Sequence, residues 1–460
     1  MNSLRRGACP GLSDPMPTGD GLLARLIPSA PIPLDDFVEL CEASRAHGNG
    51  IMEVTQRGSL QVRGLSPMSA PAFAEAVTAL GLGSNSGPPV LTSPLLGLDA
   101  EEGVDLRPLA AALRGELSDR SYLASVGPES SGPESSINPQ PGIGPKVSVL
   151  IDGGGALHLD ELPADLRLRM GSASRLHLSI AGTAEASMSL GWVEPQDAVR
   201  AVVHVLAAIA KRGAGARARD LANADGVSAL RASLAAVLTD EPRPPPRPPA
   251  EPIGRHRLKD ERVARGIALA FGYAEAHTLE RLARAAARYG AASIRPAPGR
   301  ALLVIGLTAD AAEELAGSAM SEGFVVKPDD VRRHVAACAG APACKSATLA
   351  TRELARGIAE AAGPLLDGSA TVHLSGCAKG CAHPGAAALT LVGPDRLVVR
   401  GRAGDAPQGT ITPANFVAGL RRLYAEGQPS LADLVGRADF LSRLGAVPVA
   451  QVRVEEPGRD

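Results

Sequence analysis

Four of the six cysteines, Cys338, Cys344, Cys377 and Cys381, fall within 44 residues of one another, while Cys9 and Cys41 stand far away. Six cysteines in 460 residues are too few for a disulfide scaffold, and such clustering favours metal binding. Cys338 and Cys344 are separated by Ala339-Gly340-Ala341-Pro342-Ala343, and Cys377 and Cys381 lie in the run GCAKGC. Small residues between ligands let the backbone wrap tightly and aim amide N–H groups at sulfur, which stabilises the negative charge of an iron–sulfur cluster. Lys379 adds a positive charge within the second loop. This five-and-three spacing points to one [4Fe–4S] cluster. Structural zinc, which favours closer pairs, and buried free thiols are the alternatives.

An internal repeat must position these loops. In the first copy a helical pattern (Phe37, Leu40, Cys41, Ser44) ends at His47-Gly48; a strand with Ile51, Glu53 and Thr55, a turn at Arg57-Gly58 and a strand from Leu60 to Val62 follow. In the second, Leu279, Leu282, Ala283 and Ala286 lead to Tyr289-Gly290, then a strand from Ser293 to Arg295, a turn at Gly299-Arg300 and a strand from Leu302 to Val304. Glycine suits both the helix ends and the hairpin turns. With the apolar strands before each helix (22–26 and 267–271), each copy is half of a ferredoxin-like sandwich. Longer α+β segments follow each unit in the same element order, with strands expected near 146–151 and 186–190, then 371–374 and 388–392, and helices at 195–211 and 413–425. A further helical pattern runs from Lys345 to Ala362. The expected organisation is a first half-domain at 15–80, an α+β domain without a cluster at 85–238, a stiff Pro-rich linker at 239–254, a second half-domain at 255–325 and a cluster-binding domain at 330–450. The Ser, Gly and Pro-rich stretch 127–145 reads as an exposed loop.

Formal net charge is −2 and charges are interspersed, so no basic face points to nucleic acid and no cationic helix to a membrane. No apolar run follows Arg5 and Arg6 as in a secretion signal, and no apolar span of about 18 residues occurs. A cytoplasmic protein is expected.

At the cysteines the chain resembles the nitrite and sulfite reductase family, whose cluster is held by Cys-x5-Cys and Cys-x3-Cys pairs. The resemblance covers nearly the whole chain and includes the run from Thr55 to Arg63, similar to the family's tetrapyrrole-contacting T-x-R-Q-x-x-Q-x-H strand. Arg57 and Gln61 match; Arg63 replaces the His, Glu53 replaces an Arg, Lys146 stands alone where the family has two lysines, and Ala388 replaces an acidic residue. The implied fold is α+β, a duplicated reductase-like architecture of two ferredoxin-like half-domains and two larger α+β domains about a pseudo-twofold axis. The departures, with Arg6 to Gly11, Thr18 to Leu23, Ser93-Pro94-Leu95 and Gly376 to Pro384, resemble the oxygen-dependent monooxygenase branch of aerobic cobalamin biosynthesis.

That branch implies hydroxylation of precorrin-3A with lactone formation, using O2 and an NADH-linked electron donor protein. It implies a [4Fe–4S] cluster on the four cysteines and a mononuclear non-haem iron, for which no local ligand triad is visible. Sirohaem enters only if the chain is instead a nitrite or sulfite reductase; a non-catalytic electron carrier is a third reading, and 460 duplicated residues argue against it. A heavily carboxylated ring calls for Arg and Lys donors, Arg making bidentate bonds. Candidates to contact it are Arg25, Arg57, Gln61, Arg63, Lys146, Arg295, Arg300 and, just past the last cysteine, His383. Cys9 is a candidate pocket residue or a buried small thiol.

Overall fold

The computed structural model describes residues 10–83, 87–118, 142–144, 146–171, 174–428 and 430–449. The Leu34–His47 and Ala276–Arg288 helices form where apolar side chains recur at helical spacing, and they bury Phe37, Leu40, Cys41, Leu279 and Leu282 in one shared core. The two hairpins flank it: Ile51–Val54 with Leu60–Leu65, and Ser293–Ala297 with Ala301–Leu307.

Each half completes its sheet with a strand from the other. The first five-stranded sheet runs Met16–Pro17, Leu22–Leu26, Leu60–Leu65, Ile51–Val54 and then Tyr273–Glu275, which belongs to the second repeat. The other runs Gly254–Arg257, Val263–Ala268, Ala301–Leu307, Ser293–Ala297 and then Ile32–Pro33 from the first. This reciprocal exchange closes an edge that each half would otherwise leave open.

Two six-stranded sheets follow the same plan. In one, Val90–Thr92, Val149–Asp152 and Ala164–Met170 are parallel neighbours, and the later strands return antiparallel. In the other, Val335–Ala337, Val372–Ser375 and Ala387–Val392 are the parallel trio. The helices Pro195–Ala210 and Pro413–Ala425 lie where the sequence places them.

Three expectations need correction. The helix expected from Lys345 begins at Thr351; the residues between form turns in which the Thr348 N–H donates to the Gly376 carbonyl (2.9 Å), spending on the second cysteine loop a bond that a helix would keep internal. The Pro-rich linker does not stand off as a spacer. Carbonyls of Pro242, Pro245 and Pro248 accept bonds from Trp192, Arg169 and His158, and Arg247 grips both Asp152 and Asp160, so the linker straps the first α+β domain. The strand expected from Lys146 starts at Val149. Most of the 127–145 stretch lies outside the described residues, as does Cys9.

Candidate functional site

Val335–Ala337 and Val372–Ser375 are parallel neighbours, with Ala337 opposite Leu374, so the loops that leave their ends emerge side by side. Each loop begins with a cysteine pair, and that topology brings together residues far apart in the chain. The Cys338 N–H donates to Leu374 O (3.2 Å), the Gly376 N–H donates to Cys338 Sγ (3.2 Å), and the Thr351 hydroxyl donates to Cys338 O (2.6 Å). Gly376 must lack a side chain, because a Cβ there would lie 2.4 Å from the Ala347 Cβ. Gly340, at φ +67°, would press a Cβ onto the Thr351 hydroxyl. Lys379 Nζ donates to Ser346 Oγ (3.1 Å), tying the two loops across the site. Burial, together with the Cys338, Cys377 and Cys344 thiols, raises the Cys381 thiol above its ordinary range, as expected where sulfurs converge. Cys41 sits apart in the helix core with its thiol pushed up to about 12 by burial.

A cavity of about 690 Å³ opens between the two half-sheets and the first α+β domain. Its described lining includes Arg25, Arg57, Arg114, Lys146, Arg217 and Arg295, and no Asp or Glu. Four of these the sequence singled out; Arg114 and Arg217 it did not. Arg114 lies on the helix Arg107–Ser118 and donates to Val90 O (3.2 Å); Arg295 donates to Thr92 Oγ1 (2.7 Å). Burial first, then the neighbouring Arg114 charge, pulls Arg295 down to about 10, and burial alone lowers Arg114. Arg217 holds Asp165 at 2.7 Å, and Arg57 donates to the Pro163 carbonyl.

The first half-sheet carries a polar strip away from this cavity. Gln61 faces Arg25 and Glu53 across the strands. With its amide oxygen turned to Arg25 it accepts from Nε (3.2 Å) and Nη2 (3.0 Å), and its nitrogen donates to Glu53 (2.8 Å). Two residues on, on the same face, Arg63 is almost wholly buried and does not line the cavity. It forks onto Asp20 (3.0 and 2.9 Å), lies 3.5 Å from Glu53 and donates to Ala343 O (2.7 Å), beside Cys344. Burial opposes its charge; Glu53, Asp20 and the Cys344 thiol together outweigh it. Arg63 is therefore a brace between sheet and cysteine loop, because Asp20 and Glu53 hold it within the half-sheet while Ala343 O reaches it from the cluster-binding domain.

Arg300 is also elsewhere. It lines a second cavity of about 480 Å³ with Arg332, Arg333 and His334 and donates to Val335 O (3.5 Å). His383 bonds Ala386 O (3.1 Å) and stands edge-on to His373, ring centroids 5.7 Å apart. His373, which the sequence did not flag, is fully buried, its ring nitrogens find no partner, and burial, then His383 and Arg300, lower it to about 4. Among the described residues, Asp152, His158 and Asp160 form the one group with the spacing of a single ion. Their carboxylates already hold Arg247, and Arg169 lies 3.6 Å from Asp160, so the group fastens the linker and offers no vacant ligand set for a mononuclear iron.

Similarity to known proteins follows the same lines. The chain matches the solved structure of the Mycobacterium tuberculosis NirA protein with a TM-score of 0.69 at 19% identity, over 92% of this chain and 84% of that one. It is 31% identical over 173 residues, 35% of its length and 31% of the relative's, to a ferredoxin sulfite reductase of Mycolicibacterium paratuberculosis. The duplicated sandwich with its paired cysteine loops is thus the nitrite and sulfite reductase fold. Over 455 residues, 97% of this chain and 94% of the relative, it is 37% identical to a precorrin-3B synthase of Sinorhizobium sp.. The chain belongs to the precorrin-3B synthase family. No family model matches it. Among the described residues no helix is long and apolar enough to cross a membrane.

Proposed function

We propose that the chain is an oxidoreductase that binds precorrin-3A in the arginine-lined cavity and hydroxylates it with lactone formation, using O2 and the reducing equivalents of an NADH-linked donor protein. The observation that carries this reading is the cavity itself: six cations and no carboxylate among its described lining residues. Burial disfavours the charges of Arg114 and Arg295, and a ligand bearing several carboxylates on a flat apolar ring would match such a lining. Arg25, Arg57, Arg114 and Arg295 would grip those arms through their planar forks, Lys146 as a point charge, with Ser29, Ser59 and Ser148 as further donors.

The cysteine loops fit a [4Fe–4S] cluster, with Cys338, Cys344, Cys377 and Cys381 as ligands. Their donor chemistry is all thiolate, and a backbone N–H already points at Cys338 Sγ. When bound, the cluster would supply one-electron storage and transfer. Lys379 and the loop amides would hold its charge.

The test is purification under argon with a visible spectrum, iron and acid-labile sulfide assays and O2 uptake. A broad brown shoulder, lost in each of Cys338→Ala, Cys344→Ala, Cys377→Ala and Cys381→Ala but kept in Cys41→Ala, is expected, with O2 uptake only when precorrin-3A and a reductant are both present. Sharp sirohaem bands with sulfite or nitrite turnover would overturn it in favour of a reductase.

A further inference from the structure

Charged side chains gather at the junction between the half-sheet and the Cys344 loop. Arg63, Asp20, Glu53 and Arg352 form one connected set: Arg63 forks onto Asp20 and lies 3.5 Å from Glu53, and Arg352 pairs with Glu53. Arg352 also sits 4.1 Å over the Tyr273 ring, on the strand exchanged between the repeats. Two positive and two negative groups cancel formally, yet they are placed unequally. Arg63 reaches the loop itself, through Ala343 O at 2.7 Å, while Asp20 holds Arg63 from behind. Gly19 approaches the same loop closely, its N–H donating to Ala343 O (3.0 Å), and a Cβ at Gly19 would lie 2.4 Å from Pro342 O. The same sheet face runs from Arg63 through Gln61 and across to Arg25 on the neighbouring strand, at the cavity wall.

We propose that Arg63 and Asp20 are positioning residues that set the reduction potential of the redox centre held by the cysteine loops and fix that centre to the half-sheet whose Arg25 lines the substrate cavity. The inference rests on the cluster reading given above. Adding an electron to a cluster adds negative charge, so a buried cation beside one of its ligands favours the reduced state, and a buried anion opposes it. Water does not screen these groups: the Arg63 side chain is 4% exposed and that of Asp20 18%.

Opposite signs separate this role from a structural one. Arg63→Gln should shift the cluster midpoint potential negative, Asp20→Asn should shift it positive, and the double variant should return towards the unsubstituted value. Arg63→Lys keeps the charge and should stay near the unsubstituted potential. The readout is a spectroscopic redox titration of the anaerobically purified full chain, followed by electron paramagnetic resonance of the reduced cluster, with iron and sulfide counted in each variant. If Arg63→Gln loses its cluster, Asp20→Asn, expected positive, and Arg63→Lys, expected unshifted, still carry the test. Shifts of the same sign, or potentials that do not respond while iron content is intact, would overturn this inference alone. An unsubstituted protein without iron would overturn the cluster reading and this inference with it.

Discussion

Replacing Arg295 with Met should make the empty protein more stable and the substrate complex weaker. Arg295 is 6% exposed, and its pKa falls from the ordinary 12.5 to about 10 through burial and the Arg114 charge. At every pH below about 10 the group is charged and the folded state bears that strain, which amounts to roughly 3 kcal/mol for such a shift. Methionine fills similar volume without the charge. It also forfeits the bond to Thr92 Oγ1, about 1 kcal/mol, so a net gain of about 1–2 kcal/mol remains. In the complex the sign reverses, because a charge-assisted carboxylate contact contributes about 1.5–3 kcal/mol, and its loss should weaken binding roughly 10- to 100-fold. Urea denaturation of the substrate-free protein gives the first quantity and anaerobic titration with precorrin-3A the second. Arg295→Lys, which keeps a charge without the fork, should recover part of the affinity. A variant with lower stability and undiminished affinity would show that Arg295 braces Thr92 and does not await an anion.

Glu102 should make stability depend on pH. Burial, opposed by the Gly97 N–H and assisted by the Asp99 charge, raises its pKa from 4.5 to about 7, so the folded state keeps a proton that the unfolded chain gives up. Stability should therefore fall as pH rises between about 4.5 and 7, by on the order of 3 kcal/mol from this group, and Glu102→Gln should flatten that stretch of the denaturation profile; an equally steep profile in the variant would refute the assignment. Arg247→Ala should leave the wholly buried Asp152 unpaired, costing about 3–5 kcal/mol. Limited proteolysis should then cut the Pro-rich strap far faster than in the unsubstituted protein, and unchanged cutting would mean that the backbone contacts of Pro245 and Pro248 suffice.

The parts legible in the sequence are those fixed by local pattern. Apolar spacing marks the helices around Leu40 and Leu282, and the cysteine pairs mark two loops that leave adjacent parallel strands side by side. Alternation along Leu60–Leu65 correctly puts Gln61 and Arg63 on one face. It could not show that Arg63 meets Ala343, 280 residues away, and not the cavity. Arg114 escaped notice because an arginine on an amphipathic helix is ordinarily a solvated one; its place directly after the buried Leu113 was the only hint. The exchanged strands Ile32–Pro33 and Tyr273–Glu275 are too short to carry an alternation, so sheet membership rests on tertiary pairing alone.

That exchange bears on how the molecule could have evolved and how it could be divided. Cut at the linker, the first half would lose Tyr273–Glu275 and expose the edge of Ile51–Val54, and the second would lose Ile32–Pro33 and expose the edge of Ser293–Ala297. Each fragment would carry an unpaired strand that fits its counterpart's vacancy, a template for reassembly or for aggregation. The duplicated halves are thus bound to a common fate. One copy is free to lose its cysteines, since the sheets close without them, but neither is free to be lost.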